Sequence, residues 1–153
     1  MSPSLSEFWS LVAKSQIVSA HRCETLAVQF RTETQNSPAS VSLLAQWLVS
    51  RRVLTKYQSR VLLSGKSGPF LFDNYQVREK IESGPLKGLY RALHKTTPNP
   101  VILRFLGREL AQNVNFQSVV LQRATSLCEI QSPYLIQAYD LVNTDHYKFV
   151  AIE

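Results

Sequence analysis

The sequence predicts an α+β fold in which a helical part precedes a part rich in strands. In the first part, apolar residues recur near a 3.6-residue period behind hydroxyl residues that can cap helices. Beyond Gly65 the pattern changes to short apolar segments separated by glycine and proline turns. A chain of 153 residues fits one domain or two small ones, so we expect a helical domain at residues 1–66 and a second domain at residues 67–153.

About four helices, forming a bundle, are expected in the first domain. The second of them runs from about Ala20 to Phe30, and the fourth ends at Gly65. The polar segment 32–39 contains a Ser-Pro pair and is read as the loop between the second and third helices. The residues expected to cap the four helices are Ser6, Ser19, Ser40 and Thr55.

An internal repeat relates the two halves of this bundle. The segment Ile17-Val18-Ser19 matches Val53-Leu54-Thr55 at an offset of 36 residues, and Leu26 matches Leu62 at the same offset. The pattern predicts two similar helical hairpins, each burying an apolar face against the other. A chance match of so few residues is the alternative interpretation.

The second domain is expected to contain an antiparallel sheet with one helix packed on it. The helix spans roughly residues 115–130, where the apolar residues at helical spacing are Phe116, Val119, Val120, Leu127 and Ile130. The segments read as strands are 75–77, 89–92, 101–103 and 149–152. This order of strands, helix and further strands is typical of an α+β layout.

Composition and charge exclude several classes of protein. No apolar run approaches the roughly 18 residues of a membrane span, and the N-terminus lacks the features of a secretory signal, so we expect a cytoplasmic protein without a membrane segment. Cys23 and Cys128 form no Cys-x-x-Cys motif and are expected to be reduced, buried thiols. The net charge is +6; residues 1–66 carry eight basic and three acidic residues, whereas residues 67–153 carry nine and eight.

The strand-rich part resembles the small lobe of a Ser/Thr protein kinase over residues 73–153. The run from Tyr75 to Ala92 is similar to the first two strands and the glycine-rich loop, and Val101-Ile102-Leu103-Arg104 stands where the third strand carries Val-Ala-Ile-Lys. Ser132-Pro133-Tyr134-Leu135-Ile136 resembles the turn after the lobe's single helix, and residues 149–153 resemble the fifth strand and the start of the hinge. The resemblance implies a five-stranded antiparallel sheet with one helix.

The preceding helical domain also carries a resemblance. Its Leu-Thr-Lys-Tyr-Gln phrase at residues 54–58 is similar to the region before the kinase domain of planctomycete-type bacterial Ser/Thr kinases. The chain would then be the N-terminal region of such a kinase, truncated at the hinge.

The kinase resemblance implies a nucleotide site, which the sequence alters at several positions. Gly84 keeps the register of the family's glycines, but Glu82 stands at the first glycine position. Arg104 replaces the phosphate-binding lysine and Arg123 stands where the helix glutamate belongs, so the family's ion pair cannot form. We therefore expect ATP and Mg binding to be weak or absent, and a plain Gly-Pro hairpin turn is the alternative to a phosphate loop. The residues that would hold ATP are Gly84 and Gly88 in the loop, Leu89 and Ile102 around the adenine, Arg104 at phosphate and the Glu153 backbone at the base edge.

Catalysis by this chain alone is not expected. Phosphoryl transfer needs a catalytic-loop Asp and Asn and a metal-binding Asp-Phe-Gly, which the sequence lacks, so we assign no catalytic residue. His21, His94 and His146 lack the spacing of metal ligands, and no metal site is assigned.

Three hypotheses of function remain. The chain is the N-terminal region of a kinase-like protein, or a stand-alone pseudokinase-type binding module, or a basic helical module that contacts nucleic acid or an acidic partner. We do not expect nucleic-acid binding, because the basic cluster has few polar base readers. A protein partner, the missing kinase large lobe or self-association is expected, since Ile152 and Leu103 would face water at the hinge side of the sheet. The basic cluster comprises Arg51, Arg52, Lys56, Arg60 and Lys66.

Overall fold

The computed structural model describes residues 3–35, 40–97, 99–107, 114–134 and 136–153. Over these residues the fold is α+β, with five helices and a six-stranded antiparallel sheet. The chain divides into two compact units, residues 1–79 and 80–153. The domain boundary at residue 66 stays a prediction. The loop predicted at residues 32–39 begins too early, because the second helix continues to Glu33, and residues 36–39 of this loop lie outside the described residues.

The helices and strands follow one another in a simple order. The four helices of the first unit are α1 (Leu5–Lys14), α2 (Ala20–Glu33), α3 (Val41–Ser50) and α4 (Lys56–Leu63). The strands are β1 (Leu71–Phe72), β2 (Tyr75–Lys80), β3 (Tyr90–His94), β4 (Pro100–Phe105), β5 (Ala138–Asn143) and β6 (Lys148–Ile152), with α5 (Val114–Glu129) between β4 and β5. The strand order in the sheet is β1-β2-β3-β4-β6-β5. The prediction of five strands is wrong by one, because the two-residue β1 forms where the sequence carries no strand-length apolar run.

Local side-chain chemistry starts and ends the helices of the first unit. Ser19, Ser40 and Thr55 each accept a backbone N–H at the helix start, which confirms three of the four predicted caps. The prediction of Ser6 is wrong: Ser4 caps α1, because Glu7 three residues later reaches back to the Ser4 amide and completes a capping box. After α4, Gly65 adopts a left-handed backbone with φ +81°, as a helix-ending glycine does.

The two hairpins of the first unit repeat with an offset of 36 residues. Helix α1 begins at Leu5 and α3 at Val41, and the same offset relates the ends of these helices and the starts of α2 and α4. The turns repeat as well, since Gln16 and Arg52 both have φ 57° although neither is glycine. The predicted repeat is therefore confirmed in helix boundaries and in turn geometry.

One hydrophobic core joins the four helices of the first unit. Phe8 and Val12 of α1 and Leu44 and Leu48 of α3, which are repeat-related pairs, are fully buried in it. Phe70 is also a core member at 1% exposed, and its ring meets Tyr57 of α4 edge to face at 6.3 Å. The chain therefore returns to the helical core at Phe70, soon after Gly65 ends the fourth helix.

In the second unit, alternation along the strands separates a buried face from a more open one. On β4, Val101 and Leu103 are buried, whereas Ile102 is half-buried and Arg104 is exposed. Strand β4 pairs antiparallel with β3 and β6, and β6 pairs with β5. The expectation that Leu103 faces water is wrong, since its position alternates with Arg104 and places it on the buried face; Ile152 is half-buried.

Helix α5 occupies the predicted place between the strands and contacts β5. Its predicted apolar face is only partly covered, because Val119, Leu127 and Ile130 are 44–45% exposed, whereas Ala124 is buried. Helical periodicity therefore located the helix, although three of the apolar residues that it placed on the buried face are exposed. Val120 is half-buried, and the side chain of Phe116 lies outside the described part of the structure.

Candidate functional site

The segment that resembles a glycine-rich loop is a hairpin closed by its own backbone. The Ile81 amide donates to the Leu89 carbonyl at 2.9 Å, and the Gly88 amide donates to the Ile81 carbonyl at 2.8 Å. The Lys87 amide donates to Gly84 and the Leu89 amide to Leu86, both at 3.1 Å. Gly84 and Gly88 take φ values of +77° and +91°, which suit glycine. Several amides that a phosphate-binding loop would present outward are thus used inside this loop.

Two of the predicted nucleotide-contacting residues share one face of the sheet. Ile102 and Arg104 lie two residues apart on β4, so they lie on the same side. Their β6 partners in register are Ile152 and Val150, and Arg91 of β3 is the other partner of Ile102. We call the surface formed by Arg91, Ile102, Arg104, Val150 and Ile152 the open face. Its half-buried apolar centre and two exposed arginines could accept a flat or anionic group.

Arginine rather than lysine stands at the centre of this site. Arg104 is exposed, and within the described part of the chain no carboxylate forms a salt bridge with it. Arg123 of α5 is exposed as well. The structure therefore shows no opposite charge holding Arg104 in place among the described residues, whereas the kinase arrangement needs a carboxylate to orient the phosphate-binding cation. A further carboxylate, that of Glu109 between β4 and α5 in the sequence, lies outside the described residues.

The backbone at the predicted base-reading position is already hydrogen-bonded. Glu153 is exposed, and its amide donates to the carbonyl of Gln137 at 2.9 Å. A ligand that needed this N–H would have to displace the Gln137 carbonyl. Leu89, the other residue expected around the adenine, is half-buried directly before β3.

An aromatic cluster in the second unit was not recognised from the sequence. Phe105 packs against Phe149 at 5.1 Å and against Tyr90 at 5.5 Å between ring centroids. Tyr147 stacks on Phe149 at 5.9 Å, and the Lys80 ammonium lies 5.9 Å from the Tyr90 ring centroid. The signal in the sequence was the aromatic residues at the ends of three short strands, which antiparallel pairing brings together. The cluster packs β3, β4 and β6 together at one end of the sheet.

The Leu-Thr-Lys-Tyr-Gln phrase has a structural role in the first unit. The Thr55 hydroxyl donates to the Arg78 carbonyl at 2.5 Å, and the Gln58 amide group donates to the Val77 carbonyl at 2.7 Å. Gln58 is fully buried and also accepts a hydrogen bond from the Thr55 amide. The start of α4 therefore fixes the backbone of β2, a long-range contact that periodicity could not show.

The residues of the predicted basic cluster differ in the contacts that they make. Arg51 forms a salt bridge with Glu33, and its guanidinium lies 5.1 Å from the Trp47 ring centroid. Glu33 also accepts a hydrogen bond from the Trp47 indole at 2.8 Å, and this bond together with Arg51 lowers the pKa of Glu33 below its ordinary value. The Arg60 guanidinium lies 5.9 Å from the ring centroid of Tyr57. Arg51 thus joins the end of α2 to the end of α3, and Glu33 offsets its positive charge.

Helices α3 and α4 enclose a surface groove with a volume of about 510 Å³. Its floor contains the buried small residues Ala45 and Ser59, and Lys56 and Arg60 are exposed beside it. We call this feature the second-hairpin groove. The residues lining it are Ser42, Ala45, Gln46, Val49, Ser50, Lys56, Ser59, Arg60 and Leu63.

Across the described residues, no group of three or more His, Cys, Asp or Glu side chains is arranged to hold a metal ion. None of the described helices has the length and apolar character needed to cross a bilayer. Cys23 is buried and Cys128 is half-buried, and burial raises the pKa of both thiols.

Comparison with known proteins gives distant similarities. No family model matches the sequence. The chain is 26% identical over 96 residues to Protein lin-2 of Caenorhabditis elegans, which is 61% of this chain and 10% of that protein. The PknI kinase domain of Mycobacterium tuberculosis is similar over 54% of this chain and 34% of that chain, with a TM-score of 0.48 and 17% identity. Two mutants of the same domain give a TM-score of 0.47. The chain thus spans a tenth of the curated relative and about a third of the solved chains.

Proposed function

We propose that the chain is the N-terminal part of a Ser/Thr kinase-like protein and acts as a protein-interaction or regulatory module that transfers no phosphate. Its strand-rich unit carries the sequence resemblance to a kinase small lobe, with Arg104 in place of lysine. The phrase at residues 54–58 supports a bacterial protein of the planctomycete type, and we propose that it works in the cytoplasm. Its partner is another protein or a kinase large lobe.

One observation carries the non-catalytic part of this proposal. In the loop between Ile81 and Leu89, backbone amides of the C-terminal half donate hydrogen bonds to carbonyls of the same loop. Phosphate binding in a glycine-rich loop depends on amides that face the ligand in water-accessible positions. A phosphate could reach these amides only if the hairpin opened and its backbone hydrogen bonds broke. We therefore expect a lower affinity for ATP than a working glycine-rich loop has.

Thermal unfolding with and without Mg-ATP tests the proposal. We expect about 5 mM Mg-ATP to change the melting temperature by less than about 1 °C, since a ligand stabilises only a state that it binds. A site with a dissociation constant of about 50 μM would instead add about 2.7 kcal/mol, which corresponds to a rise of several degrees in a chain of this size.

The variant Arg104→Ala distinguishes a specific site from general anion binding. We expect the same melting response to Mg-ATP in the wild type, in Arg104→Ala and in the control Lys95→Ala, which removes an exposed cation outside the open face. A rise of several degrees in the wild type that Arg104→Ala alone removes would overturn the proposal. Transfer of labelled phosphate by the purified chain would do so directly.

A further inference from the structure

The excess positive charge of the helical domain belongs to one of its two hairpins. Residues 4–34, which contain the first hairpin, have three basic and three acidic residues. Residues 40–66, which contain the second, have five basic residues and no acidic one. One of these five, Arg51, is paired with Glu33 of the first hairpin, and Lys56 and Arg60 lie at the second-hairpin groove. The groove therefore lies in the part of the domain that attracts negative charge most strongly.

The repeat shows how the second hairpin differs from the first at this groove. An offset of 36 residues relates Ala45 on the groove floor to Trp9 of α1. The half-buried indole of Trp9 packs against the hydrophobic core, whereas the position of Ala45 adjoins a groove of about 510 Å³. At this one position the second hairpin thus carries a methyl group where the first hairpin carries a half-buried indole.

The cations beside the groove are also specific to the second hairpin. The positions related to Lys56 and Arg60 in the first hairpin are Ala20 and Glu24. The same helical framework therefore carries a neutral and an acidic residue in one copy and two cations in the other. An occupant with carboxylates close to an aromatic side chain matches both the size and the charge of this groove.

We propose that the second-hairpin groove binds an acidic peptide segment of a partner protein through one aromatic anchor, best a tryptophan. The anchor would lie over Ala45 and Ser59, and the flanking carboxylates would face Lys56 and Arg60. A buried aromatic anchor surrounded by charged contacts is a common basis of peptide recognition. This inference rests on the proposed role as an interaction module, for which it names the surface and the chemistry of the partner.

Fluorescence anisotropy with the full chain and a labelled peptide tests the groove. The probe is a peptide of about twelve residues rich in Asp and Glu with one central Trp, and we expect a dissociation constant in the range of tens of micromolar. Replacing the peptide Trp with Ala should weaken binding at least about tenfold, since the anchor supplies most of the energy. Raising the salt from about 50 to about 200 mM should weaken binding further, because the flanking contacts are ionic.

Variants of the chain locate the binding site. Ala45→Trp should abolish binding by filling the groove with the chain's own indole. Lys56→Glu with Arg60→Glu changes only exposed side chains, so it tests the groove even if Ala45→Trp fails to fold. We expect this double variant to weaken binding at least about tenfold. The matched control, Lys14→Glu with Arg22→Glu, makes the same charge change on the first hairpin and should alter binding less than about twofold.

Three outcomes would overturn the inference. Equal loss of affinity in the control and groove variants would show general charge attraction. Equal affinity for the Trp and Ala peptides would show that no aromatic anchor contributes to binding. Tighter binding of a single-stranded DNA of equal charge, lost in the groove variants, would assign the surface to nucleic acid instead. None of these results depends on Mg-ATP, whose binding decides the proposed function separately.

Discussion

At the scale of single residues, Gln58 links helix to strand. Its side chain is fully buried, donates to the Val77 carbonyl at 2.7 Å and accepts from the Thr55 amide at 3.0 Å. Both partners are backbone groups that lose a hydrogen bond if the amide is removed. Burying such groups without a partner is more costly than the bond itself is favourable.

We predict that Gln58→Ala lowers the free energy of unfolding by about 1–3 kcal/mol, since it leaves buried backbone groups unpaired. Urea unfolding of the full chain measures this change. The control is Gln29→Ala on α2, where the side chain is exposed and the change should stay within about 0.5 kcal/mol. Equal effects of the two substitutions would contradict a structural role for the Gln58 contacts.

At the scale of elements, the segment that joins α4 to β1 is fixed by a close contact. Gly68 has φ +119°, and a Cβ atom there would lie 2.8 Å from the Phe70 amide nitrogen and 3.0 Å from its ring. Gly65 also has a positive φ, but nothing lies within 4 Å of its Cβ position. Both glycines have a left-handed backbone, but only Gly68 has a steric contact, so substitutions at the two positions distinguish the cost of the conformation from the cost of the contact.

We predict that Gly68→Ala destabilises the chain more than Gly65→Ala. The Gly65 substitution should cost about 1 kcal/mol, because only the left-handed conformation opposes it. The Gly68 substitution adds a clash with backbone and should cost about 3 kcal/mol or more. Melting temperatures of the two variants, measured side by side, give the comparison, and a smaller loss for Gly68→Ala would disprove it.

At the scale of the whole molecule, residues beyond position 66 contact the helices of the first unit. Phe70 completes its core, and the carbonyls of Val77 and Arg78 accept hydrogen bonds from Gln58 and Thr55. A fragment that ends at residue 66 lacks all of these. Losing a buried phenylalanine costs about 3–5 kcal/mol and the unpaired groups add about 1–3, against a total stability of about 5–15 kcal/mol.

We predict that a fragment of residues 1–79 unfolds cooperatively, whereas residues 1–66 do not. Circular dichroism during heating measures both fragments, with the full chain as reference. If residues 1–66 melted as sharply and at the same temperature as residues 1–79, the boundary predicted from the sequence would be correct and the contribution of Phe70 negligible.

The sequence was most informative where structure depends on near neighbours. Hydroxyl caps, the helix-ending Gly65 and the 36-residue repeat are local patterns, and they were predicted correctly except for Ser4, whose partner Glu7 was overlooked. The shared face of Ile102 and Arg104 follows from the two-residue period of a strand. Three other features depend on contacts between residues distant in sequence, which no local pattern encodes. They are the hydrogen bond from Gln58 to Val77, the hydrogen bond from the Glu153 amide to Gln137 and the exposure of one side of α5.

The repeated hairpins also bear on how the chain folds during synthesis. The contacts of α1 with α2 close within about thirty residues, so the loop entropy for forming them is small, and they can form before the second hairpin has been translated. The second hairpin then adds to an existing surface. Phe70 and β2, which complete this unit, are translated after both hairpins, and only then can the Val77 carbonyl reach Gln58. We therefore expect a stepwise order of folding, in which the slow step is the pairing of the strands.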